Sequence, residues 1–171
     1  ITFSGNREGL SDQHGIDQCA LGLERILPLA EEHDVVLVME LLNSKVDHPD
    51  YQCDNTNWGV NLCRKIGHPR FKLLYDIYHM QVMEGDVIST IRGNIDYFAH
   101  FHTAGVPGRN ELGVDQELNY PAIARALAAT GYTGYVGHEF VPTADDPFSS
   151  LSQAVEAWSL SCLLYTSDAA D

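Results

Sequence analysis

Residues 35–40 read Val35-Val36-Leu37-Val38-Met39-Glu40, five apolar side chains closed by one carboxylate. A run this short and this rich in β-branched residues predicts a strand buried on both faces, as in parallel sheets. Four further runs share the form: Ile1-Thr2-Phe3-Ser4, Phe71-Lys72-Leu73-Leu74-Tyr75-Asp76, Tyr97-Phe98-Ala99-His100-Phe101-His102 and Gly134-Tyr135-Val136-Gly137-His138-Glu139. Between them lie stretches of helical period, over about Asp17–His33, Asn55–Ile66, Asp86–Ile95, Tyr120–Thr130 and Pro147–Leu160. Local signals agree with these bounds. Asp54 can cap the second helix, Gly67 before His68-Pro69 ends it, Pro121 suits the first turn of the fourth, and Gly131 stops that helix. Strands alternating with helices at this spacing imply right-handed βαβ crossovers, either doubly wound or closed as a (β/α)8 barrel. No G-x-G-x-x-G or G-x-x-x-x-G-K-[ST] follows any of the runs, so the nucleotide-binding version loses weight.

Composition bounds the partners. The chain has 171 residues, with 10 Lys+Arg against 24 Asp+Glu for a net charge of −14, and its hydrophobic fraction of 44% suits a packed core. A sequence pI near 4.7 offers no basic stripe for phosphates, so a small-molecule partner is expected rather than a nucleic acid. No apolar run approaches the roughly 18 residues of a membrane span, and neither a basic leader nor an initiating Met opens the chain. Cys19, Cys53, Cys63 and Cys162 form no C-x-x-C pair and read as reduced core thiols, which points to the cytoplasm. The acidic run Glu31-Glu32-His33-Asp34 reads as a solvated helix end, and Asp145-Asp146 before Pro147 as a capping loop.

Polar residues close the runs. Glu40, Asp76, His102 and Glu139 end four successive apolar stretches, at spacings of 36, 26 and 37 residues. Each spacing approximates one βα unit of roughly 30 residues, so a parallel barrel would bring all four to its C-terminal rim. Three carboxylates and an imidazole converging in a poorly solvated site repel one another unless a cation joins them. Oxygen-dominated ligation with one His and no thiolate suits Mn²⁺ or Mg²⁺, with Co²⁺ as a third option. His79 can reach the same rim from the loop after Asp76. Arg109 can pair with a substrate carboxylate, or else with Glu111 or Glu117. His100 shares a face with His102 one layer below, His138 points away from Glu139, and His14, His33, His48 and His68 carry no signal.

At these residues the sequence resembles the hydroxypyruvate isomerase family, within the xylose-isomerase-like (β/α)8 TIM barrels. The likeness runs from Ile1 to about Trp158. It is carried by Phe3-Ser4-Gly5-Asn6-Arg7, Met39-Glu40-Leu41-Leu42-Asn43-Ser44-Lys45, Leu74-Tyr75-Asp76-Ile77-Tyr78-His79-Met80-Gln81, His100-Phe101-His102 with Val106-Pro107-Gly108-Arg109, and Gly137-His138-Glu139-Phe140. The resemblance implies one divalent metal on Glu40, Asp76, His102 and Glu139, with the two glutamates moving a proton and His79 and Arg109 contacting substrate oxygens. The reaction implied interconverts hydroxypyruvate and 2-hydroxy-3-oxopropanoate through an enediolate. The chain departs from the pattern at His102, where many hydroxypyruvate isomerases have Gln and ketose 3-epimerases more commonly have His. That keeps a ketose 3-epimerase as the alternative. An apurinic-site endonuclease of the same superfamily would need more His ligands and a positive groove.

A complete barrel takes roughly 250 residues. The resemblance places the five runs as strands four to eight, so residues 1–160 are expected to form a partial barrel and residues 161–171 a non-native or disordered tail. Such a partial barrel is expected to be unstable or inactive alone, and the whole protein to be a homo-oligomer candidate.

Overall fold

A computed structural model describes residues 1–159. Four strands, β1 (Leu37–Glu40), β2 (Phe71–Asp76), β3 (Phe98–Thr103) and β4 (Tyr135–His138), form a parallel sheet in that order. Six helices alternate with them or precede them: α1 (Asp12–Glu32), α2 (Thr56–Ile66), α3 (Ile77–Met83), α4 (Val87–Asn94), α5 (Tyr120–Ala128) and α6 (Pro147–Trp158). None of these helices is long and apolar enough to cross a membrane. The expected end of the last helix at Leu160, Cys162 and the tail 161–171 fall outside the described residues.

The run Ile1–Ser4 is reduced to one parallel bridge, Thr2 to Met39. Thr2 N–H donates to Val38 O and Glu40 N–H to Thr2 O, and there the ladder stops. Ser4 N–H turns instead to the Tyr51 hydroxyl, and Gly5, in a left-handed conformation, accepts from Gln52 N–H. The segment thus peels away from the sheet toward the loop after β1. At the other end, β3 starts at Phe98 because Ile95–Tyr97 forms a 3₁₀ turn.

Two helix starts differ from expectation. α1 begins five residues early, capped by Ser11, whose side chain accepts from His14 N–H. Gly15, inside this helix, serves close packing: a Cβ there would meet the Gln52 side chain at 2.1 Å. α2 is capped by Asn55, which accepts from Trp58 N–H, and not by Asp54. Asp54 is engaged elsewhere, on Arg7 Nη2 at 2.9 Å and Ser44 Oγ at 2.6 Å. Other punctuation falls as read, except that α5 ends at Ala128, before Gly131. Gly67 ends α2 with φ of 61°, Pro121 sits in the first turn of α5, and Asp146 caps α6 through Phe148 N–H.

The core lies between the outer face of the sheet and the helices. Leu41, Leu73, Tyr75 and Phe101 are fully buried there. Gly59 lets α2 approach so closely that a Cβ would reach Leu73 and Leu41 at 2.9 and 3.0 Å. Tyr75, Phe98 and Phe101 form an aromatic cluster with ring centroids 4.7–5.9 Å apart. Cys53 and Cys63 are buried free thiols and Cys19 a half-buried one. The acidic run at the end of α1 is solvated, with Asp34 paired to Arg70.

Candidate functional site

Register decides which side chains meet. Parallel neighbours point the same way, and so do residues two apart along one strand. Glu40 pairs with Leu74, Asp76 with His102, and His102 with Gly137. Leu74 and Asp76 share a face, as do Gly137 and Glu139, so Glu40, Asp76, His102 and Glu139 fall on one face at the C-terminal ends of four adjacent strands. Glu139 lies just past β4, where its N–H still donates to Thr103 O. Ligand atoms of the four all lie within 4.8 Å of one another. His100 lies on the same face below His102, with ring centroids 5.0 Å apart. His138 points the other way and meets Thr103 Oγ1 at 2.7 Å.

The electrostatics are those of an acidic cluster seeking a cation. His102 Nδ1 stands 3.0 Å from Glu139 Oε2, 3.2 Å from Glu40 Oε1 and 3.9 Å from Asp76 Oδ2. Burial pulls the His102 pKa down, but the hydrogen bond to Glu40 and the charges of Glu40, Asp76 and Glu139 outweigh it, and the net shift is upward. Asp76 is fully buried and its carboxyl is pushed up to about 7, chiefly by desolvation. Its two oxygens do different work. Oδ1 caps α3 by accepting His79 N–H at 3.1 Å, while Oδ2 has no hydrogen-bond partner among the described residues and faces the cluster. An orphaned buried carboxylate oxygen beside two more carboxylates and an imidazole fits a divalent cation with mostly oxygen ligands. Three carboxylates against the single guanidinium of Arg109 leave about two negative charges for such an ion to offset.

His79 is placed differently from expectation. It lies on α3, not in a loop, and is fully buried. Because Asp76 both ends β2 and caps α3, no loop separates strand from helix. Burial drives the His79 pKa down to about 3, so the ring is neutral, and Nε2 lies 3.8 Å from Asp76 Oδ2. Arg109 enters the site as well. Its Nη2 reaches Glu139 Oε2 at 2.6 Å and Asp76 Oδ2 at 3.5 Å, in place of a pairing with Glu111 or Glu117. Glu111 is occupied otherwise, accepting Thr143 N–H, the Thr143 hydroxyl and the Ser150 hydroxyl. The Arg109 loop is itself tied down, since Val141 N–H donates to Arg109 O and Asn110 Nδ2 to Val141 O.

Sequence reasoning missed several supports. Tyr51 donates its hydroxyl to Glu40 O at 2.9 Å and accepts Ser4 N–H, fixing the backbone at Glu40. Asn43, Asp47 and Tyr78 form a hydrogen-bonded chain behind His79. His48, read as carrying no signal, packs edge-on against the His79 ring at 5.4 Å. The available hint was Asn43 three residues before Val46-Asp47, the spacing of a side chain that caps its own loop.

Comparison with known proteins places the fold. A family model described as xylose isomerase-like TIM barrel matches residues 1–159. The chain is 35% identical over 115 residues to the 2-oxo-tetronate isomerase of Cupriavidus necator, covering 67% of this chain and 44% of that protein. It is 33% identical over 111 residues to the hydroxypyruvate isomerase of Escherichia coli, covering 65% of this chain and 42% of that protein. Among solved structures, an AP endonuclease, family 2, from Brucella melitensis matches with a TM-score of 0.83 and 28% identity, covering 91% of this chain and 59% of that one. The chain therefore spans less than half the length of these curated relatives.

Proposed function

From the premise that the chain belongs to the xylose isomerase-like TIM barrel family, we propose that it carries the active site of a divalent-metal-dependent isomerase acting on a small hydroxy-oxo acid. Hydroxypyruvate, converted to 2-hydroxy-3-oxopropanoate, is the substrate this reading favours. The observation that carries it is the convergence of four ligand atoms within 4.8 Å at the C-terminal ends of the strands. Relatives named as isomerases of two such acids support the same direction.

Glu40, Asp76, His102 and Glu139 would hold the ion, Mn²⁺ or Mg²⁺ by the hardness of the donors, with Co²⁺ a third option. When bound, the ion supplies positive charge that stabilises an anionic substrate oxygen next to the reacting carbon. Glu40 and Glu139 flank the cluster from its two ends: one carboxylate takes a proton from the hydroxyl-bearing carbon beside the carbonyl, the other, protonated, gives one to the carbonyl carbon, and the hydroxyl proton passes to the former carbonyl oxygen. Arg109 holds the substrate carboxylate, since a guanidinium matches two oxygens in one plane. His79, neutral and buried, contributes a hydrogen bond rather than a charge. The depth of Asp76 and His79 keeps water from the inner side of the site.

A ketose 3-epimerase is the second reading, and His102 is the residue that favours it. The substrate decides between them: hydroxypyruvate has a carboxylate for Arg109, and a ketose has none. The test is turnover of hydroxypyruvate, 2-oxo-tetronate and a ketose panel by the Mn²⁺-loaded protein with its barrel completed, alongside Glu139→Gln. The expected result is conversion of an oxo acid and loss of turnover in Glu139→Gln with the fold retained. Undiminished turnover in that variant contradicts the assignment.

A further inference from the structure

Asn43 lies three residues after Glu40 in the same motif, and it is fully buried. Its Oδ1 accepts two backbone N–H groups, from Val46 at 3.0 Å and Asp47 at 2.9 Å. With the oxygen committed to donors, the amide cannot be flipped, so Nδ2 is the end that faces His79 and Asp47. Nδ2 lies 2.7 Å from Asp47 Oδ2 and 2.7 Å from His79 Nδ1. The backbone N–H of Asn43 points at the same His79 nitrogen, at 3.2 Å. A ring nitrogen that receives two N–H donors cannot carry its own proton. The proton of the neutral ring is therefore on Nε2, which is buried, has no hydrogen-bond partner among the described residues, and lies on the side of Asp76 Oδ2.

The chain continues outward. Asp47 Oδ2 also accepts the Tyr78 hydroxyl at 2.7 Å, and the Tyr78 ring lies under the Arg109 guanidinium, 5.4 Å from Cζ to centroid. One polar network thus joins the two side chains assigned to substrate contact, although its members are spread from residue 43 to residue 109.

We propose that Asn43, backed by Asp47 and Tyr78, is a positioning residue that holds His79 in its Nε2–H tautomer and so presents a fixed, uncharged donor to a substrate oxygen. With Nδ1 occupied, His79 donates a hydrogen bond and takes no proton, which leaves proton transfer to the glutamates. The substrate half of this inference rests on the isomerase reading; the tautomer half does not.

The test separates the two. Long-range ¹H–¹⁵N correlation spectra of the labelled protein report which His79 nitrogen is protonated, with no substrate present. The wild type is expected to show an unprotonated Nδ1 and a protonated Nε2. Asn43→Asp keeps the oxygen that receives Val46 and Asp47 but turns the donor at His79 into an acceptor, so the proton is expected to move to Nδ1. With hydroxypyruvate and Mn²⁺, kcat should then fall by roughly 10–100-fold, the range typical of residues that orient a site's contacts, with KM moving far less. A protonated Nδ1 in the wild type overturns the inference, and so does Asn43→Asp with unchanged tautomer and kcat. The expected tautomer in a completed barrel that turns over no oxo acid leaves the positioning in place and removes the isomerase reading.

Discussion

Arg109 Nη2 lies 2.6 Å from Glu139 Oε2, joining the loop after β3 to the residue just past β4. The same nitrogen lies 3.5 Å from Asp76 Oδ2, so one guanidinium answers two of the proposed metal ligands. A substrate carboxylate has to draw Arg109 partly away from them. Arg109→Gln is accordingly expected to raise KM for hydroxypyruvate by about 10–100-fold, the worth of a hydrogen bond to a charged group. Steady-state kinetics on hydroxypyruvate and a neutral ketose check this. An equal loss on both substrates would assign Arg109 to the ligands rather than to the carboxylate.

The raised pKa values give metal binding a pH dependence with a definite sign. Asp76 titrates near 7 in the fold against an ordinary 3.8, and His102 is also raised. A group whose pKa is raised by folding stabilises the fold fully below its unfolded value and loses that contribution as pH rises through the folded one. Asp76 alone therefore costs the chelated protein stability between about pH 4 and pH 7, and His79, lowered from 6.5 to about 3, offsets that cost over nearly the same range, so the sign is read in metal binding rather than in the melt of the chelated protein. Cation binding requires the deprotonated ligands, so the rise in Tm caused by Mn²⁺ should grow over the same window. Thermal melts with and without Mn²⁺ from pH 5 to 8 test it, and a metal-induced shift independent of pH would contradict it.

Tyr51 is buried and bridges Glu40 O and Ser4 N–H through one hydroxyl. Tyr51→Phe leaves both backbone groups without that partner, at a cost of about 1–3 kcal/mol. Denaturant unfolding should show the loss, and weaker Mn²⁺ binding should accompany it because Glu40 is no longer fixed. Unchanged stability would mean that water replaces the hydroxyl.

The parts of the molecule that were legible in the sequence are those set by local pattern. Short apolar runs ending in Glu40, Asp76, His102 and Glu139 give the strand ends, and the parallel register with strand parity then puts the four on one face. Ile1–Ser4 misled because an apolar run does not say whether its backbone finds a ladder, and here Tyr51 and Gln52 take over after Thr2. α3 was hidden because Asp76 serves two elements at once, leaving no turn residue to mark the boundary. The Asn43–His79 contact spans 36 positions, and neither residue's neighbourhood carries the other. Arg109 was placed at the site, yet its pairing with Glu139 depends on two loops meeting across the rim.

The most direct test of the account is Mn²⁺ titration of the chelated protein, its barrel completed, by calorimetry, paired with recovery of hydroxypyruvate turnover in the same sample. The account predicts one ion per chain, turnover that returns in step with its binding, and loss of both in Asp76→Asn. Turnover that survives chelation, or Mn²⁺ binding that is unaffected by Asp76→Asn, would contradict it.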